Sequence, residues 1–564
     1  MSEHGSTDFR EEDFHDRTNI MGRELRRHGF IEEKSISNLL LSRILIFVNT
    51  NSLTTKFGEA AVIMVANQVA RVFKNIDFFI SSSIDAILKE YPLFSGQGIP
   101  AKNRLNAGLK RVNKWGDFKM IHSLAEIKQR ASKKKYTYAI CIGKTDDANA
   151  KLLQESVDHV LYFTAHGWRA FLSPNAHDLP SISINDLNAR ASTIGAMLGA
   201  ILAVNDGIKH VLQMQKAMFV DKLTTFSAFD YSMDGSEPGP ELPEKIDAGT
   251  IVVTGLGAVG GILVAMLPLL RTPFSGHARL IDFDVLEIHN MNRTLYATIE
   301  DMGNRKAEVA MKFLKLVPWL SNLFVDAEYT TLEKATIFDE KNVDIALALV
   351  DSGDSRRNLQ DKLPKSIIHA GTTEFQVEVF TCENLLHDAC LKCVFDQADH
   401  LWDDAKSILI TRLEKEKGKG NVLPSDVTQD KIKAVADEII LWKVNAEKEQ
   451  GRPVPMYLAV ATVAGIKILQ YPGVTDELLK LHNVKVPVPT LPPVSALPAL
   501  LCLGEVIKLR HFPQARLNNR WQTDLIGKID YSFKITFPKN PKCSCNNEDY
   551  RELYKEAHGL QSTS

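Results

Sequence analysis

Net charge is nearly absent from this chain: 67 lysines and arginines stand against 69 aspartates and glutamates, a formal balance of -2 over 564 residues. A nucleic-acid-binding protein would normally carry a basic stripe, so nucleic acid is not expected as a partner. Long apolar runs are missing too. None approaches the roughly 18 residues of a membrane span, and Met1-Ser-Glu-His-Gly-Ser-Thr-Asp-Phe-Arg10 has no apolar core of a signal peptide. No membrane partner is therefore expected. Cysteine is scarce, with seven residues, and none lies between Val394 and Leu501. Four of the seven fall in two close pairs, which fits a metal site in a reducing compartment better than a disulfide framework. A cytoplasmic protein is the simplest expectation. What remains, 45% hydrophobic and 24% charged residues, is ordinary globular composition with room for two or more domains.

The densest signal lies at the centre. Ile251-Val-Val-Thr254 reads as a strand and runs into Gly255-x-Gly257-x-x-Gly260, after which an apolar stretch to Leu270 reads as a helix. Strand, glycine turn and helix aim backbone N–H groups and a helix N-terminus at a phosphate. A second strand, Ala278 to Ile281, delivers Asp282 about twenty residues past the last glycine, where an acid can hold a ribose hydroxyl. A dinucleotide oxidoreductase would show this much. It would need neither the polar and cationic cluster that follows, Asn290 and Asn292 with Arg293 and Lys306, nor Asp351 at the end of the apolar run Val343–Val350. ATP with a metal ion needs both.

Taken together, Gly255/Gly257/Gly260, Asp282/Asp284, Asn290/Arg293, Gly303/Lys306 and Asp351 with Arg356 resemble the motifs of the ubiquitin-activating, or ThiF/MoeB/HesA-type, adenylation family. The match covers about 250 to 395 and resumes near the C-terminus. The resemblance implies ATP and magnesium as cofactors. The glycines would let the backbone reach the phosphates and Asp282 would accept the ribose hydroxyl, with Asn290 and, as a supporting candidate, Asp284 completing the nucleotide-binding set. Arg293 and Lys306 would offset triphosphate charge, and Asp351 would hold magnesium, a hard cation that prefers oxygen ligands. Arg293, Lys306 and Asp351 are the candidate catalytic residues, and Arg356 a supporting one.

The same resemblance gives the cysteine pairs a role. Cys390-Leu-Lys-Cys393 and Cys543-Ser-Cys545 can each bite one tetrahedral ion. Family members place a structural zinc at two such stations, with Cys-x-x-Cys usual at both; Cys-x-Cys at the second is a departure.

An internal echo sets the architecture. Ile194-Gly-Ala-Met-Leu-Gly-Ala-Ile-Leu-Ala-Val-Asn-Asp-Gly-Ile-Lys209 has a counterpart in Val494 to Lys508, and Phe229-Asp-Tyr-Ser232 in Ile529-Asp-Tyr-Ser532. This reads as two copies of one α/β unit. In the first copy, strand Ile44–Val48, helix Gly58–Phe73 and strand Ile76–Ile80 repeat the central order. Its turn, Asn49 to Gly58, has one glycine instead of three, and its second strand ends in Ser81-Ser-Ser83 rather than an acid. The expected fold is α/β: two tandem Rossmann-like, doubly wound domains of adenylation type, the first degenerate, the second with a helical insertion and a zinc site. The division runs as a polar tail or marginal helix over 1–30, a degenerate domain over 31–231, a linker over 232–247 and an ATP-binding core over 248–393. An inserted crossing-loop region follows over 394–485, with helices at Ser425–Glu449 and Tyr457–Gln470, then a C-terminal part over 486–564.

The function this implies is ATP-dependent adenylation of the C-terminal carboxylate of a ubiquitin-like protein or peptide, with pyrophosphate released and the acyl group passed to a partner nucleophile, such as a conjugating enzyme's thiol. An inactive half fused to an active one resembles bacterial ubiquitin-like conjugation systems, some linked to antiviral defence. The halves would pair across a pseudo-twofold axis, or the chain would form a homodimer. A thioester cysteine is not expected: Cys141 and Cys502 read as core thiols, and Cys382 precedes the zinc pair. Two rivals are an NAD-dependent oxidoreductase and a non-catalytic scaffold with decayed nucleotide sites.

Overall fold

The computed structural model describes residues 9–438 and 491–560. Excepted are 28–30, 33–34, 50–53, 81–89, 96–100, 216, 341, 352, 374, 419–422, 424–425, 429–430, 432–433, 436–437, 516–518, 528, 530–531 and 542. Two sheets carry the chain. The first is built from β1 (Arg43–Val48), β2 (Asn75–Ile80), β3 (Asp117–Ile121), β4 (Tyr136–Ile142), β5 (Val157–His166), β6 (Arg169–Ser173) and β7 (Thr224–Ser227), in the order β3-β2-β1-β4-β5-β6-β7. The second holds β8 (Ile246–Thr254), β9 (Phe274–Ile281), β10 (Asn322–Glu328), β11 (Ile345–Ala348), β12 (Ser366–Thr373), β13 (Gln376–Cys382), β14 (Arg520–Asp524) and β15 (Phe533–Ile535), in the order β10-β9-β8-β11-β12-β13-β14-β15. In each, five parallel strands give way to antiparallel ones on the same side. The second sheet thus repeats the order of the first and adds one edge strand, an α/β fold of the class expected. The central parallel strands β1, β4 and β11 are apolar and buried on both faces, whereas the edge strands β3 and β10 alternate buried and exposed residues.

The helices that matter for the site are α1 (Glu11–Arg27), α2 (Lys56–Val69), α3 (Ser192–Val211), α4 (Ala258–Met266), α5 (Lys306–Lys315), α6 (Gly353–Asp361), α7 (Leu391–Lys417), α8 (Pro492–His511) and α9 (Glu548–Ala557). The echoed segments are α3 and α8, and they meet between the sheets. Asn205 on α3 donates to the Leu525 carbonyl at 3.0 Å and Lys209 to Gly527 at 3.2 Å, while Lys508 on α8 donates to Phe229 at 2.9 Å. Each helix so reaches the main chain of the opposite half. The largest cluster of buried apolar side chains runs through both halves without a break. By length and composition α8 could cross a membrane, but 94% of its apolar window is buried inside the fold.

Residues 11–27, expected as a tail or a marginal helix, form α1: Phe14 and Leu25 lie on one helical face and are buried. The segment 232–247 is tied to the first half, since Trp168 donates its indole N–H to Pro240 and Arg169 donates to Glu237. One expected boundary needs correction. The expected boundary at 393/394 falls inside α7, because Cys390 caps that helix and it runs on to Lys417. Of the helix expected over Ser425–Glu449, only scattered positions up to 438 are described, helical at 431, 434, 435 and 438. The helix expected over Tyr457–Gln470 and the serines at 81–83 lie outside the described residues.

Candidate functional site

The three glycines of the turn answer three different constraints. Gly255, with φ +85°, sits where a Cβ would come within 3.0 Å of the Leu349 carbonyl, so the end of β8 lies directly against the segment leaving β11. At Gly260 a Cβ would stand 2.0 Å from the Gly255 carbonyl oxygen, so only glycine lets α4 start this close under the turn. Gly257, the residue that caps α4, faces open space instead. That is where a phosphate could approach the backbone N–H groups.

Asp282 is buried just past β9. One carboxylate oxygen accepts the Leu256 N–H at 2.6 Å and the other the Asp284 N–H at 2.8 Å. It therefore staples the glycine turn to the strand beside it. Burial raises its pKa, although Lys306 and the two N–H bonds oppose that. A carboxylate has about four acceptor sites, so lone pairs remain for a ribose hydroxyl.

Lys306 starts α5. Its ammonium lies 2.6 Å from the half-exposed Asp284 carboxylate, and its N–H donates to the Asp284 carbonyl. Between them the chain doubles back: Leu286 and Gly303 are hydrogen-bonded, and Val285 bridges Arg305. The ends of this excursion are thus locked, while its middle holds Asn290, Asn292 and Arg293. The Asn290 side chain accepts the Glu287 N–H and caps a short 3-10 turn. Arg293 donates to the Asn292 side-chain oxygen at 3.1 Å. Tyr296 ties this loop to both neighbours, lying flush against Gly261 of α4 and donating its hydroxyl to the Lys306 carbonyl at 3.3 Å. Asp351 is exposed one residue past Val350, whose carbonyl accepts Nε of the buried Arg356 at 3.0 Å. The candidates of the second half are therefore gathered at the carboxyl ends of β8, β9 and β11, on the crevice side that open α/β sheets use for ligands.

One cluster was not anticipated. Under the end of β11, His369 touches the Ala348 carbonyl at 2.8 Å and Glu378 at 3.1 Å, and Glu378 also accepts from Arg520 at 2.7 Å. Burial alone would raise the Glu378 carboxyl, but Arg520 and His369 outweigh it and hold it well below the usual range. The signal available in the sequence was one polar residue set in each of two apolar runs, Ile367-Ile-His-Ala370 and Val377-Glu-Val379.

The four paired cysteines converge. Cys390 and Cys543 sulfurs are 3.5 Å apart, Cys393 and Cys545 3.4 Å, Cys390 and Cys393 3.8 Å, and all four are buried. A tetrahedral zinc with bonds of about 2.3 Å sets its sulfurs about 3.8 Å apart, so the donor set fits that ion. The Asn540 N–H donates to the Cys393 sulfur at 3.3 Å, the kind of outer contact that orients a thiolate ligand. The cluster joins the start of α7 to the segment before α9, at the amino ends of the parallel strands and away from the glycine turn.

The chain belongs to the ThiF family, whose family model matches residues 229–545, more than half of the chain. A sulfur carrier protein adenylyltransferase of Thermus thermophilus is 28% identical over 164 residues, 28% of this chain and 59% of its own length. A NEDD8-activating enzyme E1 catalytic subunit of Arabidopsis thaliana is 36% identical over 128 residues, 22% of this chain and 26% of its own. The chain thus spans less than two thirds of either relative. Escherichia coli MccB, solved with ATP, overlaps 53% of this chain and 67% of its own with a TM-score of 0.33 and 17% identity, too loose a likeness to carry anything further.

Proposed function

We propose that the second half binds ATP with magnesium and adenylates the C-terminal carboxylate of a ubiquitin-like protein or peptide. The observation that carries this reading is the open face of Gly257 beside the Asp282-stapled turn, with Lys306 at the start of α5 and Asp351 past the end of β11. Family membership supports it. A substrate carboxylate oxygen would attack the α-phosphorus, the bond from that phosphorus to the bridging oxygen would break, and pyrophosphate would leave an acyl-adenylate. Chemistry of this kind is mostly positioning and electrostatics. Lys306 would meet the phosphates while still leaning on Asp284, and Arg293 would add a second cation. Asp351 is the residue that would hold magnesium, which supplies charge neutralisation on the phosphates when bound.

The first half, with one glycine in its turn, would serve as the inactive brace of the second. The acyl group would pass to a nucleophile of another protein, such as a conjugating enzyme. Pseudo-symmetric pairing would be met within one chain, and a homodimer would add a second such pair.

Thermal stabilisation by ATP·Mg, set against NAD, tests the nucleotide: NAD alone stabilising the protein would favour an oxidoreductase, and neither doing so a scaffold. Exchange of labelled pyrophosphate into ATP, driven by a candidate modifier, tests the chemistry. It should fall about 100- to 1000-fold in Lys306→Ala or Arg293→Ala, the usual cost of losing a preorganised charge partner. Wild-type exchange in both variants would show the triphosphate to be misplaced.

A further inference from the structure

The loop that carries Asn290, Asn292 and Arg293 is gripped by the other half of the molecule. Arg71, in the turn that ends α2, donates to the Met291 carbonyl at 2.5 Å and to the Ala297 carbonyl at 3.0 Å. Asn67, one turn earlier, donates to the Leu295 carbonyl at 2.8 Å and accepts Nε of Arg71 at 3.1 Å. Three main-chain acceptors of one short loop are therefore held by two side chains of a different sheet layer. Arg293 lies between the two carbonyls that Arg71 spans.

Arg71 is an odd residue to find there for packing alone. It is fully buried, its hydrogen-bond partners among the described residues include no carboxylate, and burial pushes its pKa down to about 9. A buried cation without an anionic partner is costly, and an apolar or amide side chain would fill the same interface more cheaply. What a guanidinium adds is a rigid planar fork that fixes several acceptors relative to one another. Met291 and Ala297 are buried in turn, so without the fork their carbonyls would lack a partner in the closed loop, which makes opening of the loop easier.

We propose that Arg71, backed by Asn67, is a positioning residue for the nucleotide site: the half without the glycine turn sets the geometry of the loop that presents Arg293. The proposal deepens the adenylation reading and rests on it only for the effect on ATP.

The test uses the full chain and two variants, Arg71→Met and Asn67→Leu, with ATP·Mg as probe. In the ligand-free protein, amides of residues 288–298 should exchange with solvent about 10- to 100-fold faster in Arg71→Met, roughly what one lost charge-assisted hydrogen bond is worth. Amides of β8 and β9 should not change. The affinity for ATP·Mg should weaken by a similar factor, with a smaller loss in Asn67→Leu. Arg71→Lys, which keeps the charge but not the fork, should fall between wild type and Arg71→Met, and it stands in if Arg71→Met fails to fold. Unchanged exchange at 288–298 in the folded variants overturns the proposal. So does faster exchange with wild-type ATP affinity, which would make the contact structural only. If wild-type protein binds no ATP·Mg, the adenylation reading falls, while the exchange measurement still decides whether Arg71 holds the loop.

Discussion

Removing one arm of the cysteine cluster should free the C-terminal segment before it harms the rest of the fold. The variant is the double substitution Cys390→Ser, Cys543→Ser, which takes one sulfur from each pair. Among the described residues three hydrogen-bonding contacts also dock α9: Tyr550 donates to the Gln360 carbonyl, Tyr554 to Lys365, and His558 lies 2.8 Å from the Leu363 carbonyl. At about 1 kcal/mol net per hydrogen bond and about 2 kcal/mol for burying Tyr554, these supply on the order of 5 kcal/mol. A structural zinc contributes about 10–16 kcal/mol in small zinc-binding peptides, two to three times as much. Metal analysis should find about one zinc per chain in the wild type and little in the double variant. Hydrogen exchange should rise steeply over 540–557, while the core strands β8, β9 and β11 keep their protection. Zinc retained in the double variant, or unchanged protection of α9 after chelation, would refute both the ligand set and the ranking of contacts.

Two further outcomes follow from the geometry. Gly260→Ala must push a methyl into a carbonyl oxygen 2.0 Å away, whereas Gly257→Ala meets open space. The first should cost more stability, about 1–3 kcal/mol, and the second more of the stabilisation given by ATP·Mg; thermal melts with and without nucleotide would show the order, and the reverse order would put the ligand elsewhere. His15 on α1 is buried, finds no hydrogen-bond partner among the described residues, and has its pKa pushed down to about 4 by burial. Because the folded value lies below the ordinary 6.5, its contribution is complete above pH 6.5 and is lost as pH falls towards 4, up to about 3 kcal/mol. Exchange over α1 should quicken in that window in the wild type and not in His15→Phe; a flat profile in the wild type would mean that the imidazole is solvated.

What could be read in the sequence was whatever is local. The glycine turn with the strand before it and the helix after it depends on neighbours a few residues away, and Ile251 to Leu270 announces it; Asp282 was legible by its spacing past the last glycine. The echo between α3 and α8 was legible because two small-residue helices were followed by the same Asp-Tyr-Ser, and the matching strand orders agree with it. The four cysteines announced themselves by pair spacing. Other features were hidden for physical reasons. The polar residues of α1 mask a narrow stripe whose Phe14 finds its partner, Trp115, far along the chain. Asp282 looked like an open acceptor, yet its oxygens also hold the turn, because main-chain donors carry no residue type to read. The grip of Arg71 and Asn67 on carbonyls of another half leaves no pattern for the same reason.

The remaining consequence concerns transfer. A thioester relay needs a thiol that can ionise and reach the adenylate, so it must be mobile and partly exposed. All seven cysteines are buried. Cys390, Cys393, Cys543 and Cys545 share one cluster. Burial raises Cys141 and Cys502 well above an ordinary thiol. Cys382 ends β13 opposite Ile367, at the amino end of β12. The glycine turn and Asp351 lie past the carboxyl ends of β8 and β11, so Cys382 stands at the wrong edge of the sheet. Residues 439–490 could not supply a thiol, since no cysteine occurs between Val394 and Leu501. Incubation with ATP·Mg and a cognate modifier should therefore give no thiol-sensitive adduct on this chain in a non-reducing gel, while adenylate and pyrophosphate still form. An adduct that vanishes in Cys382→Ala or Cys502→Ala would require either β13 or α8 to open during turnover, and would restore a relay through this protein.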